Sequence, residues 1–172
     1  MMEAYHIARR EHLIPPVMEQ PEYNMLHRQR VEVDYIPAYD RFDMGLTIWS
    51  PLGSGILTGK YSNGIPKDTR ASLEKYTYLE GRFSGDRAET NINKVKELAP
   101  IAQELGITMP QLALAWCLKN EQVSTVITGA SKPEQMEDNL KATDIKAKLT
   151  PKVMDRIEMV LDNQPSFPTD FR

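Results

Sequence analysis

Residues 45–61 read GLTIWSPLGSGILTGKY, a short β-branched and aromatic run that changes abruptly into a segment rich in glycine. The run from Gly45 to Trp49 is typical of a buried β-strand, because branched and aromatic side chains suit a pleated surface. Pro51 and the glycines after it predict that the strand ends there and enters a loop that extends to Arg70. A loop this long is uncommon in a compact domain unless it covers a site. The stretch therefore predicts a strand that leads into a functional loop.

Two further strands and several helices are predicted around this stretch. The strands lie at 16–20 and 123–128. Apolar residues at helical spacing predict helices at 2–11, 24–42 with a kink or break at Pro37, 89–105 with a kink at Pro100, 108–118, 131–141 and from 150 onward. Strands that alternate with helices indicate an α/β fold around a parallel sheet. Because a parallel sheet needs cover on both faces, three strands in 172 residues predict an incomplete architecture.

Several helix boundaries carry local signals. The segments Thr108-x-x-Gln111 and Ser131-x-x-Glu134 both have the form of a capping box, and Thr150 stands directly before a proline. The helix that begins near Thr108 is apolar on nearly every side and is expected to be deeply packed. Its Cys117 is accordingly predicted to be a small core residue rather than a nucleophile.

The composition is that of an ordinary globular protein. The 172 residues include 21 Lys and Arg against 24 Asp and Glu, a net charge of −3, with 41% apolar residues. This size predicts one domain over residues 1–172, with a surface tail from about 165 to 172. The mild acidity does not favour nucleic acid as a partner. No 18-residue apolar run and no signal peptide are found, so we expect a cytoplasmic protein without a membrane span.

Several kinds of site are not favoured by the residues. The three histidines, His6, His12 and His27, and the single cysteine do not have the spacing of metal ligands. The glycine motifs of Rossmann and Walker phosphate sites do not occur. No metal site is predicted.

Residues that follow the predicted strands are the best candidates for binding, since ligands of parallel α/β folds lie at the carboxyl ends of the strands. The amide of Gln20 could pair with another amide, such as a nicotinamide carboxamide, or could simply be satisfied by the backbone. Trp49 could stack on a planar ring or be a core aromatic. Gly129, Ser131 and Lys132 open a helix whose amino end could bind phosphate, although most capping sequences are structural. Lys60 and Arg70 could add positive charge, or could be solvated surface residues.

Four ordered motifs resemble one known family. They are EQPEYN at 19–24, WSPL at 49–52 with GILTGKY at 55–61, PQLA at 110–113 with AWC at 115–117, and VITGAS at 126–131 with Glu134, Gln135 and Asn139. Together they resemble the aldo-keto reductase superfamily, and within it the voltage-gated potassium channel β-subunit group. The resemblance covers essentially the whole chain.

The resemblance implies a fold and a cofactor. The family's fold is a (β/α)8 barrel that binds NADPH at the carboxyl ends of its strands, and this chain resembles strands six to eight with their helices, a partial barrel. By resemblance, Gln20 holds the nicotinamide carboxamide and Trp49 stacks on the nicotinamide ring. The loop over the pyrophosphate and ribose comprises Ser50, Pro51, Leu52, Ser54, Lys60 and Arg70. The adenosine end is held by Gly129, Ser131, Gln135, Asp138 and Asn139, with Ser131 and Lys132 near the 2′-phosphate. Asp138 replaces the Glu that is usual in the channel-subunit group.

The same resemblance leaves the activity open. The family reduces carbonyl compounds by hydride transfer from NADPH, with a tyrosine, a lysine and an aspartate that belong to the early strands. This chain lacks those strands, so no catalytic residue is assigned to it. We therefore consider three alternatives: the NADPH-binding part of an oxidoreductase, a non-catalytic cofactor-sensing subunit of a potassium channel, and a truncated inactive fragment. The partners expected are a small carbonyl substrate if the missing half completes the site, further copies of the chain, or a potassium channel.

Overall fold

The computed structural model of the protein describes residues 1–66 and 80–167. At its centre is a parallel sheet in the order β1 (Met18–Glu19), β2 (Gly45–Ile48) and β3 (Val123–Val126). Met18 lies opposite Gly45, and Leu46 lies opposite Val123, with an irregular register directly after Leu46. The three predicted strands are confirmed, although each is shorter than predicted. Beyond the regular pairing, the Ile127 N–H still donates to the Ile48 carbonyl at 2.8 Å.

The helices lie before, between and after the strands. They are α1 (Met2–Arg10), α2 (Ile36–Phe42), α3 (Glu80–Phe83), α4 (Asp86–Glu104), α5 (Met109–Lys119), α6 (Pro133–Leu140), α7 (Ala142–Ile145) and α8 (Pro151–Leu161). A π-helical turn (Arg30–Asp34) precedes α2, a 3₁₀ segment (Gly53–Thr58) follows β2, and a 3₁₀ turn (Lys146–Lys148) follows α7. Pro100 lies inside α4, which continues past it to Glu104.

Two of the predicted helix caps form as expected. At the start of α5, the Thr108 Oγ1 accepts the Gln111 N–H, and the Gln111 Oε1 accepts the Thr108 N–H. At the start of α8, the Thr150 Oγ1 accepts the Val153 N–H at 3.4 Å. Each cap satisfies amide groups that the first turn of a helix leaves without a backbone partner.

The capping box predicted at Ser131 is wrong. The residue that precedes α6 is Lys132, and no side chain caps this helix. The helix begins at Pro133, whose fixed φ and missing N–H suit the first helical position. The carboxamide of Gln135, rather than Glu134, reaches back, and its Oε1 accepts the Ser131 N–H at 3.0 Å.

The helix predicted over 24–42 is also wrong over its first residues. Asn24 and His27 exchange backbone hydrogen bonds of 3.2 and 3.0 Å in a tight turn, and regular α-helix begins only at Ile36. The Asn24 Oδ1 accepts the Leu26 N–H at 2.9 Å, so this side chain stabilises the turn in place of a helix. Pro37 lies in the first turn of α2 and does not kink it.

The core lies on one side of the sheet. Leu46 and Ile48 of β2 have no exposed surface and belong to the same cluster as Leu112 and Ala113 of α5. All residues of α5 from Gln111 to Cys117 are buried, which confirms the predicted packing of this helix. By contrast, Met18, Trp49 and Ile127 remain 45%, 42% and 41% exposed. The described residues therefore form a partial α/β barrel whose sheet is covered by helices on one side.

A buried cation joins the segment after β1 to the last helix. The guanidinium of Arg28 donates to both carboxylate oxygens of Glu32 at 2.9 Å, and to Glu158 at 2.6 Å. It also donates to Asn163 at 3.1 Å and lies 5.1 Å above the centre of the Trp116 ring. Burial alone lowers the pKa of this guanidinium, but the two carboxylates raise it. Arg28 is thus a fully partnered structural charge.

The domain prediction concerns the chain as a whole and stays a prediction. The described end of the tail has no regular structure after Leu161, and Phe167 is exposed. The remaining tail residues, 168–172, lie outside the described residues.

Candidate functional site

The ends of β1 and β2 bring two of the predicted residues together. Trp49 donates its N–H to the Pro21 carbonyl at 3.0 Å and accepts the Tyr23 N–H at 3.3 Å, so the chain beyond β1 runs beside Trp49. Gln20 and Trp49 accordingly follow neighbouring strands, and both side chains are exposed. Their backbones are fixed while their side chains remain available, as a binding site requires.

The glycine-rich segment after Trp49 is tightly folded. Left-handed backbone occurs at Ser50, Gly53, Ser54, Gly55 and Gly59, with φ between +55° and +97°. Glycine adopts this conformation without steric cost, whereas a residue with a side chain does not. The Ser50 carbonyl accepts the Gly53 N–H at 2.9 Å, and the Ser50 Oγ accepts the Ser54 N–H at 3.3 Å. Ser50 therefore organises the loop that follows it.

The neighbouring loop residues differ in their exposure. Pro51 is buried, and Leu52 and Ser54 are half-buried. Lys60 is exposed at the far end of the loop, and Arg70 lies outside the described residues.

The ammonium of Lys60 lies close to the glycines of this loop. Its Nζ is 5.0 Å from the centre of the Tyr61 ring, which is within range of a cation–π contact. A Cβ at Gly55 would lie only 3.0 Å from the Lys60 Cε, so a side chain there would displace the lysine. Among residues 1–66 and 80–167, Lys60 forms no ion pair with a carboxylate. Its positive charge is therefore available to an anion.

A partly buried ion pair lies beside this loop, and no sequence pattern predicts it. Arg82 donates to the two carboxylate oxygens of Glu22 at 2.6 and 2.9 Å and approaches the Ser54 Oγ at 3.5 Å. Burial raises the pKa of the Glu22 carboxyl, but the hydrogen bonds and charge of Arg82 outweigh it and hold that pKa below its usual value. The pair lines a cleft of about 270 Å³ with Asn24 and His27. The partners lie 60 residues apart, so no local pattern joins them.

The segment after β3 is held by its own helix. Gln135 of α6 accepts both the N–H and the hydroxyl of Ser131, at 3.0 and 3.1 Å. Asn139, one turn later and buried, donates to the Thr128 Oγ1 at 3.4 Å. Gly129, Ser131 and Lys132 are exposed. The structure thus brings four of the predicted adenosine-end residues, Gly129, Ser131, Gln135 and Asn139, into one region.

Asp138 faces a different neighbour. Its carboxylate accepts hydrogen bonds from the Gln111 amide at 2.8 Å and from the Thr108 hydroxyl at 3.0 Å. It therefore joins α6 to the capped end of α5. The assignment of Asp138 to the adenosine end stays a prediction. Its hydrogen bonds hold α6, which carries Gln135 and Asn139, against the start of α5.

Other kinds of site are not formed by the described residues. In residues 1–66 and 80–167, no group of three or more His, Cys, Asp and Glu side chains is arranged to hold a metal ion. No helix within those same ranges is long and apolar enough to cross a membrane. Cys117 is fully buried, and burial strongly raises the pKa of its thiol, so it lacks the thiolate that a nucleophile needs.

Comparison with protein-family models shows the family to which the chain belongs. The model of the Aldo/keto reductase family matches residues 1–162. The chain belongs to the aldo/keto reductase family. Among the curated proteins similar to it is a probable voltage-gated potassium channel subunit beta of Arabidopsis thaliana, 48% identical over 171 residues. A protein of the same description from Oryza sativa subsp. japonica is 47% identical over 171 residues.

The alignments with these aldo/keto reductase relatives cover unequal shares of the two partners. They include 99% of this chain but only 51% of each relative. The chain therefore spans about half the length of the curated relatives it matches.

Proposed function

We propose that this chain is the NADPH-binding part of an aldo/keto-reductase-like oxidoreductase. One arrangement carries the proposal: the exposed indole of Trp49 directly precedes a folded glycine-rich loop that ends at the exposed Lys60, whose ammonium pairs with no carboxylate of the described residues. An indole suits stacking on a planar nicotinamide, and an ammonium suits a pyrophosphate. The residues present therefore fit the cofactor.

The nicotinamide half would lie against the ends of β1 and β2. In this proposal the exposed amide of Gln20 pairs with the carboxamide, and Trp49 stacks on the ring. The loop of Ser50, Pro51, Leu52 and Ser54 covers the pyrophosphate and ribose, together with Lys60 and Arg70. The left-handed backbone at Ser50 and Ser54 supports this role, because the loop is held in a defined fold directly after Trp49 by its own hydrogen bonds.

The adenosine half would lie at the end of β3. Gly129, Ser131, Gln135 and Asn139 would contact it, with Ser131 and Lys132 close to the 2′-phosphate. Gln135 already holds the Ser131 hydroxyl and N–H, so this side chain would position the contact as well as make it. Asp138 would contribute by fixing α6 on α5.

NADPH, when bound, supplies the hydride for carbonyl reduction. The residues of this chain bind and orient the cofactor, and no proton donor among them is assigned to the reaction. We propose a carbonyl substrate only for a protein that also contains the other half of the relatives, which this chain does not match. A cytoplasmic location belongs to the same proposal.

The test is NADPH binding to the 172-residue chain, followed by thermal unfolding and by energy transfer from tryptophan to the reduced nicotinamide. A ligand that binds only the folded protein at about 100 times its Kd stabilises it by roughly 2.7 kcal/mol, so the melting temperature should rise. Trp49→Ala should weaken binding about tenfold, because an aromatic stack contributes roughly 1 kcal/mol beyond its buried area. NADH should stabilise less than NADPH.

Two matched variants control this experiment. Ile127→Ala removes another exposed apolar side chain at the end of a neighbouring strand, and Trp116→Phe changes the buried tryptophan. Both should bind NADPH with unchanged affinity once their own stability is taken into account. An equal loss of affinity in folded Trp49→Ala and Trp116→Phe would refute the stacking assignment, and no shift with NADPH in the unmodified chain would refute the binding function.

A second proposal rests on the relatives rather than on the site. Because proteins 48% and 47% identical to this chain are described as probable voltage-gated potassium channel subunits, a role as a cofactor-sensing channel subunit is also proposed. Association with such a channel and with further copies of the chain can be measured by co-precipitation and by sedimentation, with and without NADPH. Binding that does not change with NADPH would contradict cofactor sensing.

A further inference from the structure

Asn24 is a buried polar residue with both ends of its amide engaged. Only 1% of its surface is exposed. Its Nδ2 donates to the Ser50 carbonyl at 3.0 Å, and its Oδ1 accepts the Leu26 N–H at 2.9 Å. The side chain therefore connects the segment after β1 to the first residue of the loop after β2.

Ser50 is held in its backbone conformation by the N–H groups of Gly53 and Ser54 within the loop and by Asn24 from outside it. Its φ of +56° is the left-handed conformation, which a residue with a Cβ adopts only where its surroundings hold it. Backbone pairing with the segment after β1 ends at Trp49, whose N–H and carbonyl are bonded to Pro21 and Tyr23. At Ser50 the backbone of the loop turns away from the segment after β1. The next hydrogen bond between the two segments is therefore made by a side chain, the Asn24 amide, which donates to the Ser50 carbonyl.

We propose that Asn24 is a positioning residue for the cofactor loop. It holds the Ser50 carbonyl, and through it the orientation of the indole of Trp49 and the fold of the loop backbone up to Gly55. This inference rests on the proposed NADPH function. Asn24 itself is buried behind the loop and need not touch the cofactor.

The chemistry of the position favours an amide over similar side chains. An aspartate accepts the Leu26 N–H but presents a carboxylate to the Ser50 carbonyl, and two acceptors do not bond. A serine also accepts locally but is too short to reach the Ser50 carbonyl. Asparagine supplies an acceptor and a donor at once.

The same segment offers a matched control. Asn163 is also partly buried, its Oδ1 accepts from Arg28 at 3.1 Å, and its Nδ2 donates to the Met25 carbonyl at 2.8 Å. Asn24 and Asn163 thus hold neighbouring parts of one segment with the same chemical group. Only Asn24 reaches the loop after β2.

The experiment compares Asn24→Ser with Asn163→Ser in the full chain. Hydrogen exchange of the backbone amides of residues 50–55 is measured without ligand, and NADPH affinity is measured by titration. Asn24→Ser should speed exchange of the Gly53, Ser54 and Gly55 amides about tenfold and weaken NADPH binding by a similar factor, the loss expected for one buried hydrogen bond. Asn163→Ser should lower the melting temperature comparably but leave both loop exchange and NADPH affinity within about twofold of the original values.

The two readouts separate the inference from the function on which it rests. Equal loop exchange in the two variants would overturn the positioning role of Asn24, whatever the cofactor does. Faster loop exchange in Asn24→Ser, in a chain that binds no NADPH, would support that role and refute the proposed function. If Asn24→Ser is too unstable at room temperature, both variants are compared at a lower temperature, where equal exchange of the Gly53 and Gly55 amides in the two would again overturn the positioning role.

Discussion

The two sides of the sheet of this aldo/keto reductase family member differ in burial. On the helical side, Ile48 has no exposed surface and Arg28 donates four side-chain hydrogen bonds. On the open side and at the strand ends, Met18 and Trp49 keep nearly half of their surface exposed. The free energy of folding therefore comes mainly from one side, and the groups proposed to bind the cofactor lie at the margin of the other. Substitutions should separate stability from binding accordingly.

Two large effects of similar size are expected on the helical side, and the first is at Arg28. Arg28→Met removes the cation between Glu32 and Glu158 and leaves two partly buried carboxylates unpaired. Breaking a buried ion pair costs roughly 3–5 kcal/mol, and since both carboxylates retain some contact with water we expect about 3 kcal/mol. Urea unfolding of the two proteins measures this loss.

Arg156→Met is the control for that substitution. Arg156 forms a two-fold hydrogen bond with Glu104 in full solvent, and surface pairs contribute little to stability. The urea concentration at the unfolding midpoint of Arg156→Met should stay close to that of the unmodified chain. An equal loss of unfolding free energy in Arg28→Met and Arg156→Met would contradict the expectation that the buried cation stabilises the fold more than the exposed one.

The next effect compares two isoleucines joined by one hydrogen bond. Ile48→Ala opens a cavity in the core and should cost about 2–5 kcal/mol. Ile127→Ala, on the adjacent strand, removes a side chain that is 41% exposed and should cost less than about 1 kcal/mol. Thermal unfolding of both variants decides the point. A large loss at Ile127 would mean that the strand end is covered by something other than the described residues.

The smallest effect concerns the ion pair beneath the loop. Because Arg82 lowers the pKa of Glu22, the ionised carboxylate stabilises the folded protein above its ordinary pKa of 4.5, and this contribution disappears as the pH falls through the lowered value. Glu22→Gln should therefore lower stability at neutral pH, by about 0.5–1 kcal/mol since Arg82 is partly exposed, and should converge with the unmodified chain in acid.

Glu104→Gln is the matched control for Glu22→Gln. Its pair with Arg156 lies in solvent, so any difference that it causes should vanish in about 1 M salt, where exposed charges are screened. The Glu22 difference should persist in part at the same salt concentration. A Glu22 effect that is independent of pH would contradict the assigned cause.

Sequence patterns predicted the features that depend on neighbouring residues. The strand at Gly45–Ile48, the buried helix α5 and its capping box at Thr108 were all recognised, because β-branched runs, apolar faces and capping residues act within one or two turns. Four of the residues assigned to the adenosine end lie together at the end of β3. The roles of the site residues themselves stay predictions.

The features that were missed depend on distant or competing contacts. The helix predicted over 24–42 fails because the Asn24 side chain favours a local turn and then bonds to Ser50. The cap predicted at Ser131 fails because Pro133 fixes the first turn of the helix. The pair of Glu22 with Arg82 joins residues with no sequence relationship. Such contacts require the folded chain before they can be recognised.

The partners of Arg28 also constrain how the protein is made. Its contacts to Glu158 and Asn163 span 130 and 135 residues, so this cluster closes only after the ribosome has released nearly all of the chain described here. Until then, the segment that carries Tyr23 and Asn24 lacks the anchor that holds it against α8, and nascent chains expose apolar surface that chaperones bind. Translation that stops before Asn163 should thus yield a protein that is retained by chaperones, even though every strand of the sheet has been synthesised.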